Sequence, residues 1–304
     1  VKKKKQRARF PRTLFFCERM DCVKNHLALG HILALAVSAV WGTTYISTKV
    51  LLTAFHPVEI LVFRFLLAWA VLFLCSPRPL LPKGVKQELP FVCCGLTGLT
   101  FYSILENYAL EFSLASTVGL IIAAAPMFTA LLLWLCRRSR RPGPAFFIGF
   151  CLAMAGIALI SLAEGESFDS NPLGILLSLA AAVCWGGYSV CLEWAQANSG
   201  LSELQSTCKI FFWGLLFTLP FLWGGGLAPD LTRFAQPTLL GNTLYLGIGA
   251  SALCFLAWNK ASALIGPVAT NVYLYLMPVI TVAASALILA GLALSQRKAP
   301  PESP

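Results

Sequence analysis

The feature that most restricts the fold of this chain is a series of long apolar runs, because about 20 apolar residues form a helix long enough to cross a bilayer. Nine such runs follow one another: Leu27–Leu52, Pro57–Cys75, Leu89–Leu110, Leu114–Cys136, Ala145–Leu162, Leu173–Trp194, Thr207–Gly224, Leu239–Lys260 and Pro267–Leu294. Inside a bilayer the backbone amides find no water, so each span must satisfy them within a helix or a closed barrel. The runs are continuous rather than alternating, which favours helices. We therefore predict an all-α, polytopic membrane helix bundle.

The composition supports a membrane protein and argues against a nucleic-acid-binding one. Charged residues make up only 12% of the chain and hydrophobic residues 58%, whereas soluble domains carry about 25% charged residues. The net charge is +10, but nine of the 23 basic residues precede Asn25. A basic segment beside an apolar run is typical of a tail held near anionic lipid, so we expect residues 1–26 to form a basic cytoplasmic tail. We also expect natural translation to start at Met20.

The charged residues of the loops predict the orientation of the first half, since cytoplasmic loops carry an excess of Lys and Arg. These residues are Arg78, Lys83 and Lys86 after the second run, Arg137, Arg138, Arg140 and Arg141 after the fourth, and Glu164, Glu166 and Asp169 after the fifth. Both basic loops fall on the side of the basic tail, and the acidic loop falls on the other side. We therefore predict a multi-pass protein of the cell (plasma) membrane with a cytoplasmic N-terminus. The loops of the second half show no clear bias.

Enzyme chemistry and metal binding find little support in the sequence. The chain has 11 cysteines but no Cys-x-x-Cys pair, and nine of the cysteines lie in or beside apolar runs, where cysteine behaves as a small apolar residue. The three histidines lie at the ends of runs, and no phosphate-binding glycine loop is present. We expect no catalytic set, no metal, no cofactor and no ATP-driven pump.

The chain contains an internal repeat. Leu35–Gly42 matches Leu179–Gly186, with Trp-Gly at the end of each stretch and 144 residues between equivalent positions. Residues 107–129 align without a gap with residues 259–281, at a spacing of 152, and share Asn-x-Ala and Pro-x-x-Thr. Chance recurrence of Ala and Leu is an alternative, but Trp, Gly, Asn and Pro are rarer and stand in register. We therefore interpret the chain as two related halves.

The first repeat contains five spans, so the second must enter the membrane the other way up. We predict a first five-helix repeat at 27–163, a second repeat at 171–295 and a polar tail at 296–304. The stretch after Pro278 is shorter than the stretch after Pro126 by about one loop and most of one helix. The second repeat is thus shortened, giving nine spans. Either the C-terminal tail is external, or a segment has been lost relative to a ten-span form, and we favour the loss.

A known family shares these features. The residues that carry the resemblance are Trp41-Gly42-Thr43-Thr44-Tyr45 and Lys49, Pro57 and Arg64-Phe65, Glu106-Asn107-Tyr108-Ala109-Leu110, Ala115-Ser116, Pro126, Trp185-Gly186, Ala261 and Tyr275-Leu-Met-Pro278-Val279. In order and spacing they resemble the drug/metabolite transporter superfamily, in its EamA-type branch of ten-helix transporters. The basic run Arg137–Arg141, which replaces the family's Gly-Glu, and the contracted C-terminal region depart from the pattern.

The resemblance implies a secondary transporter, often an exporter, of amino acids or other small polar metabolites, with no cofactor and no enzymatic activity. Inverted repeats in such proteins bind substrate near the bilayer midplane, between the halves. The alternative is a truncated, non-transporting member of the family that acts only as a structural membrane protein.

Polar and aromatic residues within the runs are candidates to line a central cavity. They are Trp41, Thr44, Tyr45, Tyr102, Asn107, Trp185, Tyr188, Trp258, Asn259 and Tyr273. The alternative for the aromatic residues is a belt at the membrane interface. Pro126 and Pro278 should kink their helices, and we expect the two kinks to act as gates.

Ionisable residues within the runs need a reason, because charge at the bilayer centre is costly. Glu106 is the candidate for ion coupling, since a buried carboxylate can carry a proton, although a place in the headgroup layer is an alternative. For Lys49 and Arg64, anchoring at the interface is the favoured interpretation. The distance of Arg64 from Pro57 leaves an interior position open.

Overall fold

The chain folds into long helices. The computed structural model describes residues 12–77, 84–136, 139, 141–163, 171–224 and 230–296, with nearly all side chains from Asn25 onward. The helices are α1 (Arg12–Leu52), α2 (Pro57–Cys75), α3 (Val85–Phe112), α4 (Ala115–Leu135), α5 (Pro144–Ala163), α6 (Pro172–Ser199), α7 (Glu203–Gly224), α8 (Pro237–Ile265) and α9 (267–296), with a short 3-10 helix at Leu231–Ala235. Within the described residues no strand is present.

Seven of the described helices are long and apolar enough to cross a membrane: α1 from Asn25, α2, α3, α4, α6, α8, and α9 as far as Ala284. The apolar part of α5 is shorter, at Pro144–Gly156. The predicted all-α, polytopic bundle is confirmed. One boundary differs, because α1 begins at Arg12, within the expected tail. Neither Pro nor Gly occurs from Arg12 to Leu29, so no helix-breaking residue separates this part of the tail from the first apolar run.

Several charged residues that we used to predict the orientation lie outside the described residues. They are the basic residues of 1–11, Arg78, Lys83, Arg137, Arg138, Arg140, Glu164, Glu166 and Asp169. The orientation and the four-part domain division therefore stay predictions.

Two helices contain a π-helical segment that the sequence analysis did not predict. In α3 the segment is Gly95–Phe101, and in α8 it is Tyr245–Leu253. A π turn widens the helix and leaves carbonyl groups outside the regular α pattern, and such turns are frequent at functional sites. The two segments occupy matching places in the two halves.

The helices pack in pairs that repeat between the halves. α1 packs on α8 and α9, and its counterpart α6 packs on α3 and α4, while α2 packs against α7. A Cβ added at Gly42 would lie 2.7 Å from the Ile280 side chain, and one at Gly186 would lie 3.1 Å from Phe128. Gly42 and Gly186 are 144 residues apart, and Phe128 and Ile280 are 152 apart. The glycine of each half thus gives close approach to the equivalent helix of the other half.

The helices that contain Pro126 and Pro278 are both interrupted just before the proline. In α4 a regular helix ends at Ile122, four residues before Pro126. In α9 a 3-10 turn at Tyr273–Tyr275 precedes Pro278. Proline cannot donate to, and clashes with, the carbonyl four residues earlier, which accounts for the position of each break. Within the described residues, no helix follows α9.

Candidate functional site

A cavity lies at the centre of the bundle, where α1, α2, α3, α4, α6, α8 and α9 meet. It contains about 390 Å³ of atom-free space, including the part that opens outward. Its lining combines aromatic, aliphatic and charged side chains: Trp41, Thr44, Arg64, Tyr102, Glu106, Ile122, Trp185, Phe255, Leu274 and Met277. Both halves of the chain contribute to it.

Two tryptophans form the aromatic side of the cavity. The Trp41 and Trp185 rings meet edge to face, with centroids 5.3 Å apart. Trp41 Nε1 donates to the Ala250 carbonyl at 2.9 Å, within the π segment of α8, and Trp185 Nε1 donates to Asn271 Oδ1 at 2.7 Å. Because both indole N–H groups are bonded to the protein, the rings present apolar surface to the cavity.

Arg64 and Glu106 bring opposite charges into the cavity. Arg64 is 6% exposed and Glu106 is 8% exposed. Arg64 Nε donates to Ser251 Oγ at 2.5 Å, and Glu106 Oε1 accepts from the Tyr102 hydroxyl at 2.7 Å. No ion pair within 4.0 Å joins these two side chains. Two buried ionisable side chains thus line the same cavity without an ion pair between them.

Five of the predicted site residues line the cavity. They are Trp41, Thr44, Tyr102, Glu106 and Trp185. Three others are buried in the same region: Tyr45, Tyr188 and Trp258, of which Trp258 packs 4.9 Å from Trp41 and Tyr188 packs 5.1 Å from Trp185, measured between ring centroids. Tyr273 is placed elsewhere, because its hydroxyl bonds His31 Nδ1 at 2.9 Å and it is not among the residues of the described cavity lining.

The two predicted asparagines tie helices together. Asn107 Nδ2 donates to the Pro57 carbonyl at 3.1 Å, which joins α3 to the start of α2. Asn259 accepts from the Tyr188 hydroxyl at 2.6 Å and donates to Thr207 Oγ1 at 2.9 Å, which joins α8 to α6 and α7. Both side chains are fully buried, and the described contacts of each are structural.

Arg64 is the main residue that the sequence analysis placed wrongly. Its favoured interpretation as an interfacial anchor is contradicted by its burial and its bond to Ser251. The distance of Arg64 from the start of α2 was the sequence signal for an interior position. The sequence did not show which side of α2 faces α8. Four apolar lining residues were missed as well: Ile122, Phe255, Leu274 and Met277.

A second buried charge pair lies outside the cavity lining. Lys209 on α7 forms an ion pair with Glu88 on α3, and both side chains are 9% exposed. Trp213 Nε1 donates to the other Glu88 oxygen at 3.3 Å, and Lys209 Nζ lies 5.1 Å from the centre of the Phe91 ring. The charges of Glu88 and Lys209 are therefore paired with each other inside the bundle. No sequence pattern predicted this pair.

A second cation, Arg233, joins the two halves at the end of the bundle opposite the Glu88–Lys209 pair. Arg233 donates to the Ala54 carbonyl and lies 3.6 Å from a Glu59 oxygen. Glu59 and His56 form the capping box that starts α2. Outside the helices, bonds from the Thr232 hydroxyl and amide hold the pKa of Asp230 below its usual value. The loop after α1 is thus fastened to the segment before α8.

The fold and the cavity define a class of protein: a multi-pass helical membrane protein with a charged and aromatic cavity at its centre. Within the described part of the chain, no three His, Cys, Asp or Glu side chains are grouped to hold a metal ion.

Comparison with known proteins identifies the family. The EamA-like transporter family matches residues 28–162 and 172–292, and the chain therefore belongs to this family of transporters. The resemblance to the EamA-type branch is confirmed. A solved structure described only as a protein crystal structure is 19% identical and covers 90% of both chains with a TM-score of 0.63, which shows the same fold.

Several curated proteins are similar to this chain. A probable terminal-alkyne amino-acid exporter of Streptantibioticus cattleyicolor is 30% identical over 65% of this chain, and the chain spans 65% of that protein's length. An uncharacterized transporter of Archaeoglobus fulgidus is 26% identical, covering 83% of this chain and 86% of its own. The protein PecM of Dickeya dadantii is 29% identical, covering 84% and 82%. Membership of this family implies a transporter role, a small-molecule substrate and a lipid environment.

Proposed function

We propose that this chain is a secondary transporter that exports amino acids or related small polar or amphipathic metabolites across the cell membrane by alternating access. The observation that carries the proposal is the central cavity, where buried opposite charges and aromatic rings meet between the halves. Buried charges within a membrane bundle are costly and mark substrate or ion paths. The relative named as a probable amino-acid exporter supports this substrate class.

Alternating access needs a gate on each side of the cavity, and one gate must stay closed while the other opens. Polar contacts between the halves lie at both ends of the bundle, with Arg233 at one end and the Glu88–Lys209 pair toward the other. The helix breaks before Pro126 and Pro278 are the proposed hinges of these gates. Such breaks bend readily because their backbone bonds are already interrupted.

The proposed orientation places the N-terminus in the cytoplasm, and thiol labelling of the full chain in cells tests it. Cys75 is exposed at the end of α2, and Thr53 is exposed after α1, on the opposite side. A chain whose only cysteine is Cys75 should resist a membrane-impermeant maleimide until the cells are opened. A chain whose only cysteine comes from Thr53→Cys should react at once. The reverse pattern would refute the orientation.

Glu106 is the proposed coupling group if a proton drives transport. The titratable groups that face it are Arg64 from α2, Tyr45 from α1 and Tyr102 from its own helix. Glu106→Gln removes the protonation step, so transport by this variant should no longer respond to an imposed pH gradient. Full retention of the gradient response in vesicles would remove Glu106 from this role.

An export assay tests the transporter proposal itself. Cells that overexpress the chain are loaded with a panel of labelled amino acids and related metabolites, and the retained label is followed. The expected result is faster loss of at least one compound. Thr44→Trp, which fills the cavity, should abolish the effect, whereas Thr53→Trp at an exposed position should not. If the unmodified chain moves no compound, the alternative of a non-transporting structural protein is favoured.

A further inference from the structure

Two sets of helices meet along the centre of the bundle. One set is α6 with α3 and α4, and the other is its repeat counterpart, α1 with α8 and α9. The start of α9 lies against α6 and α4, which we call the α9 junction, and the start of α4 lies against α1, which we call the α4 junction. The repeat relates the two junctions, since α4 corresponds to α9 and α1 to α6. Alternating access needs one of them to open while the other stays closed.

Two hydrogen bonds show at which end of the bundle each junction lies. Tyr273, near the start of α9, bonds His31 in the first part of α1 at 2.9 Å. Lys49, near the end of α1, donates to the Ser113 carbonyl just before α4 at 2.8 Å. Thr53 follows the end of α1, and α2 runs back from there to Cys75. The α9 junction is therefore at the Cys75 end, and the α4 junction is at the Thr53 end.

One buried amide joins the two sets at the α9 junction. Asn271 on α9 is 1% exposed, and its Oδ1 accepts from Trp185 Nε1 at 2.7 Å. Its Nδ2 lies 2.9 Å from Ser189 Oγ and 3.2 Å from Thr129 Oγ1. Trp185 and Ser189 belong to α6 and Thr129 to α4, so all three of these partners are on the other set. A single side chain thus holds the junction through several polar contacts.

The α4 junction has no amide at the equivalent position. The residue 152 positions before Asn271 is Gly119, which has no side chain to donate or accept. The residue 144 positions before Ser189 is Tyr45, and its ring lies 3.5 Å from the place that a Cβ on Gly119 would take. A large ring against a glycine therefore stands where the other junction has a serine against an asparagine.

The two repeat-related tryptophans show the same difference. Trp41 Nε1 donates to the Ala250 carbonyl of α8, which belongs to its own set. Trp185 Nε1 instead donates across the junction to Asn271. Separation at the α4 junction leaves the bond of Trp41 intact, whereas separation at the α9 junction removes the acceptor of Trp185. An N–H group that loses its acceptor in a buried place is costly.

We propose that Asn271 is a latch that holds the α9 junction closed, so that the chain rests with its cavity shut toward the Cys75 end. The inference rests on the proposed function, because it assigns the resting conformation of an alternating-access cycle. It goes beyond that function by making the two gates unequal. In the predicted orientation the latched end is cytoplasmic, so release of Asn271 is a step that a compound entering from the cytoplasm has to drive.

The side from which a cavity thiol is labelled in sealed vesicles tests the latch. The reporter is a full chain whose only cysteine comes from Leu274→Cys, in the cavity lining three residues after Asn271. Chains whose only cysteine is Cys75, or comes from Thr53→Cys, mark the two faces of the vesicle. With Asn271 present, a membrane-impermeant maleimide should reach the reporter slowly from the Cys75 side. Asn271→Ala should raise this rate about tenfold relative to the rate from the Thr53 side, as expected for the loss of a buried hydrogen-bonded contact.

Trp185→Phe and Trp41→Phe are the matched pair of variants, because each removes one indole N–H at an equivalent position. Trp185→Phe should raise labelling from the Cys75 side, and it carries the test if Asn271→Ala does not fold. Trp41→Phe should leave the ratio of the two rates unchanged, because its bond lies within one set.

Three results would overturn the latch: equal changes from both sides, an unchanged ratio in Asn271→Ala and Trp185→Phe, or an equal effect of the two Phe variants. If the export assay shows transport alongside any of them, the latch fails and the proposed function stands. A shifted ratio in a chain that exports nothing would remove the proposed function and leave the latch.

Discussion

The buried pair of Glu88 and Lys209 gives the sharpest test of the packing between the halves. Two unit charges about 4 Å apart interact by about 4 kcal/mol at an effective dielectric constant of 20, and both side chains are 9% exposed. Removing one partner leaves the other charge buried and uncompensated, which costs about 3–5 kcal/mol. Glu88→Leu should fall at the upper end of this range, because Lys209 then keeps only the Phe91 ring. Lys209→Met should fall at the lower end, because Glu88 keeps its bond from Trp213.

The double variant should recover most of the loss. With both charges replaced by apolar groups of similar volume, neither desolvation nor attraction remains, and such replacements are often neutral. We expect the free energy of unfolding of the double variant, Glu88→Leu with Lys209→Met, to lie within about 1 kcal/mol of that of the unmodified chain. The coupling energy would then far exceed the deviation of about 0.5 kcal/mol that independent sites show.

Unfolding by a denaturing detergent in mixed micelles, followed by circular dichroism, supplies the four free energies of the cycle. The Glu203–Lys260 pair is the control, since its atoms are 3.9 Å apart and its side chains are 26% and 45% exposed. Single changes there should cost less than about 1 kcal/mol, as for surface ion pairs. Additive losses at Glu88 and Lys209, or single losses as small as those of the control pair, would refute the reasoning.

Two further changes test the packing of α6. Gly186→Ala places a Cβ 3.1 Å from backbone and should cost about 1–3 kcal/mol, whereas Gly187→Ala has no neighbour closer than 3.6 Å and should be neutral or stabilising; equal unfolding midpoints would contradict the proposed close approach. Asn271→Leu leaves the buried Trp185 N–H without its acceptor and should cost about 1–3 kcal/mol. Asn242→Leu, where the amide bonds its own helix, should cost less than about 1 kcal/mol in the same assay.

The helices were predictable because length and hydropathy are properties of a single segment. Predicted and observed bounds agree for α2, Pro57–Cys75, because Pro57 starts the helix and the apolar run ends with it. The π segments were not predictable in the same way. Tyr245–Leu253 has the composition of an ordinary apolar helix, and the segment packs against α2 and α1, which the sequence does not reveal.

The candidate site was predictable only in part, for a related reason. Trp41 and Trp185 were found because the repeat marks both, and the repeat is visible in the sequence. Arg64 was not assigned to the cavity, because its place depends on which face of α2 meets Ser251, 187 residues away. The partner of Lys209 is 121 residues away and equally hidden. The direction in which a side chain points depends on how the helices pack, and a hydropathy pattern does not contain this information.

The packing of the two halves is repeated, but the chemistry of the cavity is not. Trp41 and Trp185 are equivalent positions, whereas the position equivalent to Glu106, 152 residues later, is Trp258. Arg64 and Glu106 therefore lie on α2 and α3 of the first half alone. In the proposed cycle, repeated packing supplies two conformations of similar energy, since each half can adopt the arrangement of the other. The charged groups stay together on neighbouring helices of one half, so both stay beside the cavity while the gates of the proposed cycle exchange.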